Sequence, residues 1–289
     1  MKKINEQTLS NIKIDNNKIT IIINLIFSIL EIIGGILTNS ISLISGAIHD
    51  IGDSISLCIE NLFNKKSKRK SNNNYSFGYV RYKVIGNFFT AIILFLCFIA
   101  IIYFSINRIK NPSDVNYDAM IIFSIFGILI NAYVAYKTKE ENKNNIIDVF
   151  GWIIVLFGSI LIRVLSISII DPIVSLLIAL FILYQVYRYI YIIFITIMEK
   201  VPNNLNIDSI QTDLLKENNM IKEFNNTNIW ALDEKNIYFT THIFLKETLD
   251  EENLINLKNN IKDYLKKLNI THITLEFIYN NEIKRKTNQ

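Results

Sequence analysis

His49 and Asp53 are the first residues along the chain that could do chemistry together. They stand four apart in a stretch, Asn39 to Glu60, that is otherwise apolar enough for a bilayer. On a helix that spacing makes them neighbours on one face, about one turn apart. Ser42, Ser45, His49, Asp53, Ser56 and Glu60 step by threes and fours, so they form a single polar stripe. Such a stripe must face protein or water, because an ionisable group turned towards lipid costs roughly 3 kcal/mol or more. An imidazole beside a carboxylate in this setting points to a metal or proton site. The plain alternative is a run of serines that packs helices around one incidental ion pair.

A second pair repeats the spacing. Asn144 and Asp148 are again four apart, at the start of a later apolar run. Zinc and its neighbours are held by imidazole nitrogen and carboxylate oxygen, usually by four ligands in a tetrahedron for zinc. Two helices that each offer two ligands would complete such a set with His49, Asp53, Asn144 and Asp148. Two carboxylates would neutralise a divalent ion, which matters where the dielectric is low. A site shared by two helices can also be opened to either side by a tilt.

The elements that must position these residues are apolar runs. Crossing about 30 Å of hydrocarbon takes about 20 residues of helix. Six runs qualify: Ile19–Leu37, Ser40–Phe63, Val84–Ile106, Ala119–Tyr136, Ile146–Val164 and Pro172–Met198. They account for a chain of 289 residues that is 51% hydrophobic yet has only nine glycines and three prolines. The chain therefore divides into a polar N-terminal segment (1–18), a six-helix transmembrane domain (19–200) and a soluble domain (201–289). Other spans carry polar faces as well: Asn24, Ser28 and Glu31 in the first, Ser124, Gly127 and Asn131 in the fourth. Together with close-packing glycines they imply a polar seam through the bundle.

Basic residues set the orientation. Lys2, Lys3, Lys13 and Lys18 precede the first span, Lys65, Lys66, Lys68, Arg69 and Lys70 follow the second, and Lys137, Lys139 and Lys143 follow the fourth. The opposite connections hold only Arg108, Lys110 and Arg163. Both termini and the soluble domain should be cytoplasmic. The Lys65–Lys70 run suits this topological role and contact with anionic lipid head groups; no aromatic interleaving makes it a nucleic-acid site. The first eighteen residues lack a signal-peptide pattern. Cys58 and Cys97 sit in apolar runs and read as small buried hydrophobes.

The soluble part reads as a helix (Ile207–Glu217), strands at Asn226–Leu232 and Ile237–Leu245, a helix (Leu249–Leu268) and a last strand, Ile273–Tyr279. Asp250, Glu251 and Glu252 open the second helix and Lys262, Lys266 and Lys267 close it, matching its dipole. The order α-β-β-α-β predicts a two-layer α+β domain.

Several of these pieces occur in an order that resembles the cation diffusion facilitator family of divalent-metal/proton antiporters. They are Asn39-Ser40, His49-x-x-x-Asp53, Phe77-Gly78-Tyr79-Val80-Arg81-Tyr82, Asn131, Asp148-x-x-Gly151, Asp171-Pro172, Pro202, Trp230, His242 and His272-Ile273-Thr274. The resemblance runs from about Glu31 to Ile278 and is carried by order and spacing together. It implies a homodimer in the cell membrane, a ferredoxin-like cytoplasmic domain, and efflux of Zn²⁺ or a related ion against protons. It implies that His49, Asp53, Asn144 and Asp148 hold the transported metal, and that His242 and Glu276 are candidates for a second, cytoplasmic metal site. Ile278 stands where an acid is common there.

The sequence departs from the pattern at three places. Asn144 replaces a usual histidine, and a donor set richer in oxygen also suits Mn²⁺ or Fe²⁺. Lys83 replaces a frequent glutamate, and Trp152 a small residue beside the fifth-helix pair. These departures keep open a non-transporting metal sensor or partner subunit. An enzyme is the remote alternative: an intramembrane aspartyl protease needs two aspartates on neighbouring helices, but Asp50-Ile51-Gly52-Asp53 lacks its Gly-x-Gly-Asp motif.

Overall fold

A computed structural model describes residues 21–138, 144–233 and 235–279, and leaves the side chains of 134, 137, 138 and 144–148 undescribed. The N-terminal lysines, Lys139 and Lys143, and the side chains of Lys137, Asn144 and Asp148 therefore lie outside the described residues. The chain forms two compact units, one of residues 1–66 and 85–190, the other of 67–84 and 191–289.

The helical unit is built on α1 (Ile21–Thr38), α2 (Ile41–Ser67), α3 (Tyr82–Lys110), α4 (Tyr117–Thr138), α5 (Asn144–Leu165) and α6 (Ile170–Ile197). Of these, α1, α3 and α6 are long and apolar enough to cross a membrane, and α4 and α5 contain shorter apolar helices. Helix α2 is long enough at 27 residues, but its polar stripe lowers its hydropathy. The unit buries polar residues within an apolar core and also turns apolar residues outward. Ser28, Glu31, Ser42, Ser45, Ser124, Ser159, Asp171 and Ser175 are buried, while Ile22, Leu25, Ile29, Phe88, Leu96, Leu129 and Phe157 are exposed. An exposed apolar surface of that extent calls for lipid, not water.

Trp152 packs at the centre of this unit. Its ring lies 5.5 Å from that of Phe27 on α1, and a β-carbon added at Gly127 on α4 would overlap its indole. The large residue at 152 is thus matched by the absence of a side chain at 127. This explains how the bundle accepts a tryptophan there.

The second unit contains α7 (Ile207–Glu217), β1 (Ile221–Ala231), β2 (Ile237–Leu245), α8 (Glu251–Lys267) and β3 (His272–Ile278). Asn206 caps α7 by accepting from the Ser209 N–H, and Asp250 caps α8 by accepting from the Asn253 N–H. The sheet order is β1-β2-β3, antiparallel then parallel, with α8 as the crossover. Ile210, Leu214, Phe239, Ile243, Leu257, Ile261 and Leu265 fill the space between helices and sheet. Strand β1 starts five residues before its expected Asn226. Two irregularities, at Ile221/Glu223 and Asn225/Asn228, break the alternation that would have announced it.

The segment between α2 and α3 packs within this second unit. Phe77 meets Tyr238 edge-on at 5.4 Å, Arg81 donates to Glu199 at 2.8 Å, and Lys83 to Asp233 at 2.8 Å. Burial works to raise the Asp233 carboxyl, but hydrogen bonds from Lys83, Asn236 and the Lys235 N–H outweigh it and hold the group below the ordinary range. Lys83, the reversed charge, therefore has an acidic partner.

Replacing Gly127 by alanine forces the indole out of its notch and should destabilise the chain by about 1–3 kcal/mol, the usual cost of overpacking. The thermal midpoint of the full chain in detergent should fall, and Trp152→Ala in the same chain should restore part of it.

Candidate metal transport site

Helix α2 enters the bundle through a buried carboxylate. Asp171, at the start of α6, accepts from the Ile41 N–H at 2.6 Å, the Ser42 N–H at 3.1 Å, Ser40 Oγ at 2.7 Å and Ser42 Oγ at 2.6 Å. Ser40 Oγ in turn accepts from the Leu43 N–H at 3.3 Å. The first helical N–H groups have no partner within their own helix, and Asp171 with Ser40 satisfies three of them. The negative charge also lies at the positive end of the α2 dipole.

Two further polar contacts join the same helices. Ser45 Oγ donates to Ser175 Oγ at 3.2 Å, and Tyr189 donates to Glu60 at 2.8 Å. The sequence separations are 129 for Ser42–Asp171, 130 for Ser45–Ser175 and 129 for Glu60–Tyr189. A constant offset means that α2 and α6 run parallel, side by side, over about five turns.

His49 and Asp53 lie between the second and third of these rungs. His49 Nδ1 is 3.8 Å from Asp53 Oδ1, and the two side chains are only 11% and 17% exposed. The pair expected from the spacing is therefore formed, in a largely buried setting. His49 also lines a cavity with Ser42, Gly46 and Asp50 of α2, Gly151, Trp152 and Val155 of α5, and Ile178 and Phe181 of α6. Its free space of about 40 Å³ is room for a few water molecules. Asp50 is a site residue that the spacing argument passed over. It is buried at 6%, and its one signal in the sequence is an acid next to His49 in an apolar run.

Among the described residues, no group of three or more His, Cys, Asp or Glu stands close enough to hold a metal. Asn144 and Asp148 belong to the first turns of α5, but their side chains lie outside the described set. In the second unit, the parallel register pairs His242 with Glu276. His242 Nε2 is 3.0 Å from Glu276 Oε2, and Asn226 Nδ2 is 3.5 Å from His242 Nδ1. The two candidates are thus in contact, and Ile278 is buried beside Phe244's register position without adding a ligand. His272 stacks on Tyr238 at 4.2 Å, and Trp230 stacks there at 5.3 Å. Trp230, Tyr238 and His272 form an aromatic row across three strands, so His272 acts as packing.

The family model described as Cation efflux transmembrane domain matches residues 18–194. Among similar curated proteins, the Bacillus subtilis "Cadmium, cobalt and zinc/H(+)-K(+) antiporter" is 29% identical over 263 residues, covering 86% of this chain and 84% of that protein. The "Metal cation efflux system protein CzcD" of Cupriavidus metallidurans is 26% identical over 273 residues, covering 90% and 85%. The Yersinia pestis "Zinc transporter ZitB" is 28% identical over 269 residues, covering 89% and 85%.

Replacing Asp171 by alanine takes the acceptor away from two N–H and two hydroxyl donors of the α2 start. The loss should be about 3 kcal/mol, the scale for removing one partner of a buried charged hydrogen-bond set. Thermal unfolding of the purified full chain should show it as a lower midpoint, with Asp171→Asn intermediate.

Proposed function

The chain belongs to the cation efflux family, and from that premise we propose that it exports divalent cations in exchange for protons through a site made by α2 and α5. It is a membrane transporter of divalent metal cations and not an enzyme. The observation that carries the site assignment is the His49–Asp53 pair, 3.8 Å apart, beside a cavity walled by α2, α5 and α6. Asp148 precedes Gly151 and Trp152 by three and four residues, and helical spacing favours the cavity-lining face of α5 for it. Asn144, one turn earlier, supplies the fourth position. In this reading the six helices are all spans, both termini are cytoplasmic, and the αββαβ unit is a ferredoxin-like domain that dimerises and senses metal through His242 and Glu276.

Exchange follows from shared lone pairs. With His49 neutral and Asp53 and Asp148 ionised, the site takes a cation from the cytoplasm. After the helices rock, protons compete for the same nitrogen and oxygens and release it. His49 is the natural proton carrier, because an imidazole ordinarily titrates near pH 6.5. The named substrates of the relatives, zinc, cadmium and cobalt, favour a zinc-like cargo. A single imidazole among oxygen donors widens the choice to Mn²⁺ and Fe²⁺.

A second reading, a non-transporting sensor or partner subunit, draws support from Trp152, which is buried against the cavity. Lys83 lends it less, since its charge is matched by Asp233. Metal binding without flux would favour this reading.

In vesicles reconstituted with the full chain, Asp53→Ala should reduce Zn²⁺-driven proton flux to that of empty vesicles; undiminished flux removes the site from the mechanism. Asn144→His should shift preference towards Zn²⁺ over Mn²⁺ in the same assay, and an unchanged ratio would take Asn144 out of the ligand set.

A further inference from the structure

The polar stripe of α2 does not end at Asp53. Ser56 and Glu60 continue it, three and seven residues further on. On a straight helix Glu60 lies almost in line with Asp53 and about 10 Å along the axis. Carried along the two helices, the offset of 129 assigns Gln185 to the level of Ser56, as it does Tyr189 to that of Glu60. Ser56 and Gln185 are 95% or more buried. Ser56 Oγ and Gln185 Nε2 have no hydrogen-bond partner among the described residues. Buried polar groups without partners are uncommon in folded proteins and call for a water or an ion. Two such groups at one level of one helix pair, directly above a carboxylate, are not explained by packing.

We propose that Ser56 and Glu60 of α2 with Gln185 and Tyr189 of α6 form a second cation site, a vestibule in which the divalent cargo waits with part of its water shell. The site has the same construction as the transport site: two helices, each giving two polar residues four apart. Its chemistry differs. A carboxylate and two hydroxyls offer oxygen, which suits a hydrated divalent ion and not a tightly stripped one, and the unpartnered Gln185 Nε2 donates to water around the ion. The Tyr189 hydroxyl, now donating to Glu60 at 2.8 Å, holds the carboxylate in place while the site is empty. The cation then displaces that hydrogen bond.

The position fits the direction of transport. Glu60 stands near the end of α2 that carries Lys65 and Lys66, which the orientation proposed above puts in the cytoplasm. A carboxylate placed ahead of the transport site raises the local cation concentration and the capture rate. Ser56 lies between Glu60 and Asp53 and gives the ion an oxygen on the way. This inference rests on the transport site and orientation proposed above.

Zn²⁺ flux and Mn²⁺ binding by the full chain test it. Glu60→Gln should raise the KM for Zn²⁺ about tenfold at low ionic strength with kcat little changed, the scale of electrostatic focusing in a charged mouth. The difference should shrink at high salt. Glu60→Asp should recover most of the affinity, and Tyr189→Phe, which removes one hydroxyl but keeps the carboxylate, should raise the KM by clearly less than Glu60→Gln. In Asp53→Ala chains a weak Mn²⁺ site should persist by electron spin resonance titration and vanish when Glu60→Gln is added. An unchanged KM in Glu60→Gln overturns the proposal. Equal losses in Tyr189→Phe and Glu60→Gln also overturn it, because they mark the pair as a structural strap. If Asp53→Ala abolishes flux while Glu60→Gln behaves as wild type, only the vestibule fails. If Asp53→Ala leaves flux intact, the transport site itself fails.

Discussion

A helix that carries an imidazole and two or more acids through hydrocarbon must have its polar face covered by protein. Helix α6 supplies that cover. It runs parallel to α2 and contacts it at three levels, through Asp171, Ser175 and Tyr189. The Asp171 level matters most. Two backbone N–H groups and two serine hydroxyls converge on one carboxylate that is 0% exposed. In a bilayer there is no water to satisfy those donors instead. This anchor fixes the start of the stripe that runs from Ser42 to Glu60.

The three levels are not evenly filled. Hydrogen bonds join the helices above and below His49, while Ile178 and Phe181 of α6 face the cavity that His49 lines. At the level of His49, therefore, α6 presents an apolar wall to this cavity. In the proposed reading this leaves the carboxylates and the imidazole to the cargo and to protons. The tight polar joints lie on either side of this level, where they hold α2.

Period and alternation made much of this legible from the sequence. The stripe on α2 follows from steps of three and four, and α7 and β2 fall at the residues their patterns gave. The His242–Glu276 contact was named from family positions, and the parallel register accounts for it. What the sequence did not disclose is long-range register. Nothing local ties Asp171 to Ser40, or Lys83 to Asp233, across separations of 131 and 150 residues. The same blindness hid the α2–α6 offset. Asp50 was passed over because it breaks the three-four step, although a 100° turn from His49 still reaches the cavity. The first half of β1 was hidden by its bulges. Trp152 looked out of place until Gly127 supplied its notch.

The sharing of one ion between α2 and α5 is tested most directly by anomalous scattering from a Zn²⁺-loaded structure of the full chain. A single transport site requires a zinc peak between the two helices, with His49 nitrogen and oxygens of both Asp53 and Asp148 at about 2.0–2.2 Å. A peak that touches only one of the two carboxylates, or carboxylates too far apart to reach one ion in any state of the loaded protein, would contradict it.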